Sequence, residues 1–174
     1  MKSNQTIDYL IIGQGLAGSI ITTEISSRGY SFQIIDNHHK SSASMAAGGI
    51  MHPMSFKRMI ESWRSLEFIT YASSYYRQLE KKWGEQFFEA FRLKRPFGSI
   101  EEQNDWMAKM KQDGYKDWMG LSTIPVDGVD QPYGVGEVYP SGKLDIPKFL
   151  ALTKSKFLQE LKQQVFNFDE LKLV

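Results

Sequence analysis

Tyr9-Leu10-Ile11-Ile12-Gly13-Gln14-Gly15-Leu16-Ala17-Gly18 decides the fold. The four apolar residues show no alternation, which predicts a short strand covered on both faces, as the central strand of a parallel sheet is. Glycines follow at once. From Leu16 the spacing turns helical, through Ile20 or Ile21 to Ile25, and Gly29 stands where a helix C-terminus favours a left-handed residue. Phe32, Ile34 and Ile35 read as a second strand ending at Asp36-Asn37. Strand, glycine turn, helix and strand together make one βαβ unit.

The glycines spell G-x-G-x-x-G between a buried strand and a helix. Gly13 permits the tight turn, Gly15 lets a pyrophosphate approach the backbone, and Gly18 lets helix and strand pack closely. Unpaired N–H groups and the positive end of the helix dipole then face the phosphates. Asp36 closes the second strand, from which a carboxylate accepts hydrogen bonds from an adenosine ribose. This pattern predicts dinucleotide binding.

The rest of the chain agrees with a folded small-molecule protein. Its 174 residues are 41% hydrophobic, 13% aromatic and 24% charged, enough apolar side chain for a packed core. Lys and Arg number 21 against 20 Asp and Glu, so the formal charge of +1 lacks the footprint of a nucleic-acid binder. With no cysteine, disulfide scaffolds, thiolate zinc sites, iron–sulfur clusters and cysteine nucleophiles are excluded, and a reducing, cytoplasmic setting is expected. The N-terminus is polar, and the run at 9–12 is far too short for an export signal or a membrane span.

Farther along, the segment 41–53 is small and glycine-bearing, a loop lying close against something. Ser55 is expected to cap a long helix carrying Met59, Trp63, Leu66, Ile69, Tyr76, Leu79 and Trp83 on a core face, until Gly84 stops it. Ser99 with Glu102 forms a capping box for a helix through Trp106, Met107 and Met110 to Gly114. The stretch 125–140 has the composition of short strands and turns. Asp145 and Pro147 open a further helix with Ile146, Phe149 or Leu150, Thr153, Phe157 and Leu161 on one face. Val165-Phe166-Asn167-Phe168 reads as a strand start.

After Asp36 a nicotinamide enzyme commonly continues with another strand and helix, whereas this chain enters the small-residue loop. Ala43-Ser44-Met45-Ala46-Ala47-Gly48-Gly49-Ile50-Met51-His52-Pro53 resembles the second cofactor segment of the D-amino-acid oxidase-like flavoenzymes, the superfamily of glycine and sarcosine oxidases and of the oxidase domain of a bacterial tRNA-modifying enzyme. Val138-Tyr139-Pro140-Ser141-Gly142-Lys143-Leu144-Asp145-Ile146-Pro147-Lys148-Phe149-Leu150 is similar to the place where such enzymes return from the substrate domain to the FAD domain.

The resemblance implies an α/β fold, a Rossmann-like FAD-binding domain with a parallel sheet plus the start of an α+β substrate domain. The implied limits are 1–83 for the FAD-binding part, 84–137 for the beginning of the substrate domain and 138–174 for the return. It implies FAD as cofactor, with Gly13, Gly15, Leu16, Ala17 and Gly18 at the diphosphate and Asp36 at the ribose. Ser44, Ala47, Gly48, Gly49 and Ile50 line the FAD through to the flavin ring, and His52 stands beside the flavin as the catalytic candidate.

The implied reaction is hydride loss from the amine-bearing carbon of an amine or amino acid to flavin N5. The implied partner is that small substrate, with no membrane and with tRNA only by family analogy. Family members are around twice this length, so the chain is expected to represent an N-terminal half. An NAD(P)-dependent dehydrogenase and a non-catalytic truncated dinucleotide-binding module are the alternatives.

Other polar residues have ordinary explanations. His38 and His39 lack a third ligand nearby and are expected as loop histidines beside the adenine, and no metal site is expected. Lys40 beside them leaves a 2′-phosphate reader open as an alternative. Arg92, Lys94 and Arg95 are expected in a solvated turn, with an anionic substrate or tRNA as the functional alternative.

Overall fold

The computed structural model describes residues 6–37 and 43–170; His38, His39 and Lys40 lie outside the described residues, as do Ser41 and Ser42. The opening run forms β1 (Tyr9–Ile12), followed by α1 (Leu16–Ser27) and β2 (Phe32–Asp36). Next come a one-turn helix α2 (Ala43–Ala46) and the short strands β3 (Ile50–Met51), β4 (Met54–Ser55) and β5 (Ile60–Glu61). The remainder is α3 (Ser65–Trp83), β6 (Phe88–Pro96), α4 (Ile100–Lys109), β7 (Met119–Leu121), β8 (Val135–Leu144), α5 (Ile146–Lys156) and β9 (Leu161–Gln163). Two compact units result: residues up to Gly48 together with those from Asp145 on, and Gly49–Leu144.

The first unit holds a parallel sheet ordered β1-β2-β9. Tyr9 pairs with Phe32 and Ile34 with Leu161, so the strand from the far end of the chain lies against the strand after the glycine turn. α1 and α5 pack on each other. Ile34 and Phe149 are fully buried, and so are Thr22 and Thr153. Each threonine hydroxyl donates to its own helix, Thr22 to the Gly18 carbonyl at 2.7 Å and Thr153 to that of Phe149 at 2.9 Å, so burial leaves neither unsatisfied. Asp145 caps α5 by accepting from the Lys148 N–H at 3.0 Å.

Three expectations for this unit need correction. Among the described residues β1 is an edge strand rather than a central one, and only Ile11 of its four residues is buried. An apolar run reports that a strand is buried in some context, without saying which neighbours supply it. The last helix stops at Lys156, and Leu161 belongs to β9. The strand expected at 165–168 does not form: 165–167 are irregular and a 3-10 turn, Phe168–Glu170, begins at its end. Ladder bonds from Ile34 N–H to the Glu160 carbonyl (2.8 Å) and from Gln164 N–H to that of Asp36 (3.1 Å) fix the pairing upstream, on a stretch with little apolar signal.

In the second unit β8 is the spine, pairing antiparallel with β3, β6 and β7. α3 packs on β6 and β8 and ends at Gly84 with φ +71, as expected. The core gathers Met54, Phe97, Trp106, Trp118, Met119 and Val138. Gly136 makes room for it, since a Cβ there would lie 2.5 Å from the Trp106 ring. Ser99 caps α4 by accepting from the Glu102 N–H at 3.2 Å, and the Glu102 carboxylate accepts from the Gly98 N–H at 2.8 Å and pairs with Arg95. The Gly98 N–H and then Arg95 hold the Glu102 carboxyl below its ordinary range.

Three further expectations fail here. The helix expected from Ser55 begins at Ser65, because 54–61 form the hairpin β4–β5 and Met59 and Arg64 take left-handed φ of 49° and 50°. Pro53 anchors the junction: its carbonyl accepts from Ser62 N–H (2.9 Å) and Ser65 Oγ (2.7 Å), and Trp63 is left 77% exposed. α4 ends at Lys109 rather than reaching Gly114. The basic residues lie on β6 rather than in a turn: Arg92 pairs with Glu137 at 3.1 Å, Arg95 with Glu102, and Lys94 Nζ donates to the Ile124 carbonyl at 3.0 Å. Their charge is taken up by neighbours within the unit.

Candidate cofactor site

The glycine turn is built by main-chain and side-chain bonds from three separate segments. Gly13 has φ +90, a conformation that favours glycine, and its N–H donates to the Ile35 carbonyl at 2.8 Å, extending the β1–β2 ladder by one step. The next N–H, of Gln14, donates to Asp36 Oδ1 at 2.9 Å. Asp36 therefore ties the turn to the end of β2. Gly18 sits against the turn itself, where a Cβ would stand 2.0 Å from the Gly13 carbonyl oxygen.

At the start of α1 the N-cap residue, Gly15, has no side chain to cap with. Ser44 of α2 takes that role, its Oγ accepting from the Leu16 N–H at 3.0 Å. The same oxygen lies 3.0 Å from where a Gly15 Cβ would be. No acidic residue occupies the first turn of α1, so no side chain there neutralises the positive end of its dipole. Gln14 is buried with its Nε2 unpartnered among the described residues, and so is Ser19 with its Oγ.

These features fit a bound diphosphate: a close-packed turn that excludes side chains, a helix start with no acid in its first turn and an orphaned amide donor. Gly13, Gly15, Leu16, Gly18, Asp36 and Ser44 are thus brought together in the first unit. Ala17, Ala47 and Gly48 belong to that unit too and are exposed. Gly49 and Ile50 belong to the second unit, where the Gly49 carbonyl accepts from Leu144 N–H at 2.9 Å and Ile50 pairs with Lys143. His52 is in that unit as well, its ring stacked on Phe56 at 4.8 Å and its Nδ1 buried without a partner among the described residues.

Sequence reasoning passed over Gln14, whose position in the motif accepts any residue, so no local signal marks its buried amide. Ser44 was singled out for the cofactor, but its capping of α1 joins residues 28 apart and leaves no sequence pattern. No group of three or more His, Asp or Glu among the described residues is placed to hold a metal ion, and no helix there is long and apolar enough to cross a membrane.

Residues 8–97 match the model of the family described as FAD binding domain. The tRNA 5-methylaminomethyl-2-thiouridine biosynthesis bifunctional protein MnmC of Burkholderia cenocepacia is 24% identical over 149 residues, covering 76% of this chain and 23% of that protein. Glycine oxidase from Bacillus cereus superposes with a TM-score of 0.63 at 18% identity, over 86% of this chain and 43% of that one. L-Proline dehydrogenase from P. horikoshii gives 0.62 at 16% identity, over 88% and 42%. The chain thus shares the α/β fold of the two solved structures and spans less than half the length of each of these three proteins.

Proposed function

Because the chain belongs to the FAD binding domain family, we propose that it serves an FAD-dependent oxidoreductase acting on an amine or amino acid. The turn at Gly13–Gly18, with Ser44 set over Gly15 and no acid at the start of α1, carries this proposal. The family match is to an FAD model, which favours flavin over the nicotinamide alternative.

In this proposal the Gly13, Gly15, Leu16, Ala17 and Gly18 backbone holds the diphosphate. Asp36 accepts from the adenosine ribose while keeping the turn in place through the Gln14 N–H. Ser44 and Ala47 continue along the cofactor, and Gly48, Gly49 and Ile50 line it toward the flavin, where larger side chains would collide. FAD supplies the hydride acceptor. His52 is the proposed proton-handling group: its Nδ1 is buried and, among the described residues, unpartnered, and its ring stacks on Phe56. Residues 1–83 and 138–174 serve the cofactor and 84–137 begin the substrate domain. Packing divides the chain elsewhere, at Gly48/Gly49 and Leu144/Asp145.

The test is to purify the chain, record its visible spectrum and identify what denaturation releases. A yellow protein that releases FAD, and takes up FAD but not NAD after stripping, is the expected result. A colourless protein that takes up no FAD at high concentration refutes the proposal for this chain.

A further inference from the structure

A solvent-open cavity of about 770 Å³ lies within the second unit, between α3 on one side and the β6–β8 sheet on the other, with Arg77, Lys81 and Asp117 exposed at its rim. Its size falls inside the ~300–1,000 Å³ range of small-molecule sites. It exists because of what α3 carries. Ile69 and Tyr76 fill the face that packs on the sheet, but the adjoining stripe is Thr70, Ser73, Ser74 and Arg77, short hydroxyls where a sheet-packed helix ordinarily carries large apolar groups.

Two of these hydroxyls donate within α3 and the third accepts there: Thr70 and Ser73 donate to the Leu66 and Ile69 carbonyls at 2.7 Å each, and Ser74 accepts from Gln78 at 3.1 Å. Leu66, Ala90, Trp118 and Pro140 supply apolar wall. Trp118 has its indole N–H committed to the Gly114 carbonyl.

The charged groups are different. Arg77 and Lys81 stand on successive turns of α3, both lining the cavity, and among the described residues neither has an acidic partner. Asp117 is the carboxylate in the lining, and it is likewise unpaired there. Arg92 is not part of this balance, being paired with Glu137 while lying over the outer Tyr139 ring at 5.2 Å. Two cations against one carboxylate, all three exposed, leave a single excess positive charge at the rim of a space floored by buried Trp118 and Ser141.

We propose that this cavity binds a small amphipathic monocarboxylate, with its carboxylate on the Arg77 guanidinium and its apolar body against Trp118 and Pro140. A guanidinium offers two parallel donors that match a carboxylate. One excess charge suits a monoanion better than a phosphoryl dianion. The site needs no FAD and stands independently of the cofactor assignment.

The experiment titrates the isotope-labelled full chain with phenylpropionate, phenylpropionamide and phenylpropylamine, followed by amide and indole NMR. Phenylpropionate is expected to give saturable shifts at the Trp118 indole and Ser141, and to bind about tenfold or more tighter than the amide, as loss of a charge-assisted hydrogen bond implies. Arg77→Gln is expected to reduce phenylpropionate to the strength of the amide. Ser73→Leu keeps both cations, fills the space and is expected to abolish the shifts, with melting temperatures reporting that each variant folds. Equal binding of the amide, tighter binding of the amine, an unchanged affinity in either variant, or no saturation at millimolar phenylpropionate overturns the proposal.

Discussion

Replacing Gly18 with alanine sets two effects of opposite sign against each other. Inside a helix, glycine to alanine ordinarily raises stability by about 0.5–1 kcal/mol, because the glycine backbone loses more entropy on folding. At Gly18, however, the new Cβ would stand 2.0 Å from the Gly13 carbonyl oxygen, 3.1 Å from its carbon and 3.6 Å from the Ile11 side chain. Main chain, not a flexible side-chain tip, has to move, and overpacking of this kind costs about 1–3 kcal/mol. The clash is expected to win by about 1–2 kcal/mol, a fall in melting temperature of roughly 2–8 °C for a chain of this size.

Ala17→Gly, exposed on the same turn, measures the helix term by itself. Thermal unfolding by far-UV circular dichroism reads both variants, and FAD titration is expected to show Gly18→Ala weakened by about tenfold or more as the turn's amides are displaced. A Gly18→Ala chain as stable as the parent, or more so, refutes the close approach of α1 to the turn.

Ser44→Ala removes the acceptor of the Leu16 N–H and should cost about 0.5–1.5 kcal/mol in chemical denaturation. Combined with Gly15→Ala it should cost less than the sum of the two, because Ser44 Oγ is the atom nearest a Gly15 Cβ. Burial pushes the Tyr76 phenol up to about 12, so its neutral form is favoured in the folded chain. The resulting stability is present below the ordinary value of 10.0 and is lost as pH rises from there through about 12; denaturation midpoints across that window should fall in the parent and fall less in Tyr76→Phe.

The glycine turn was legible because each of its requirements is local: an apolar run, a glycine in a positive-φ turn, a helix start and a carboxylate at the end of the next strand. α5 was legible at its N-terminus for the same reason, since Asp145 caps within its own first turn. What escaped was set from a distance. β9 carries Leu161-Lys162-Gln163 and is a strand because β2 holds it by backbone bonds. β6 reads Phe-Glu-Ala-Phe-Arg-Leu-Lys-Arg-Pro, a run whose charges are answered by Glu137, Glu102 and backbone carbonyls supplied by other segments. The start of α3 moved because Met59, left-handed, lies in a hairpin over 54–61 and Arg64, also left-handed, stands at the N-cap beyond it, where apolar spacing alone continued the helix. In the candidate site, Ser44 and Asp36 were visible as residues, but their bonds to Leu16 and Gln14 were not.

The pairing of Gly49, Ile50 and Met51 with Leu144, Lys143 and Gly142 has a consequence for how the chain assembles. As it leaves a ribosome, β2 is complete long before β9 exists, and an open chain between them would make their parallel pairing slow. By fastening its own entry and exit strands together, the intervening segment turns that long tether into a short one. Closure of the three-stranded sheet then depends on a loop already shut, which reduces the entropy lost when its last strand docks.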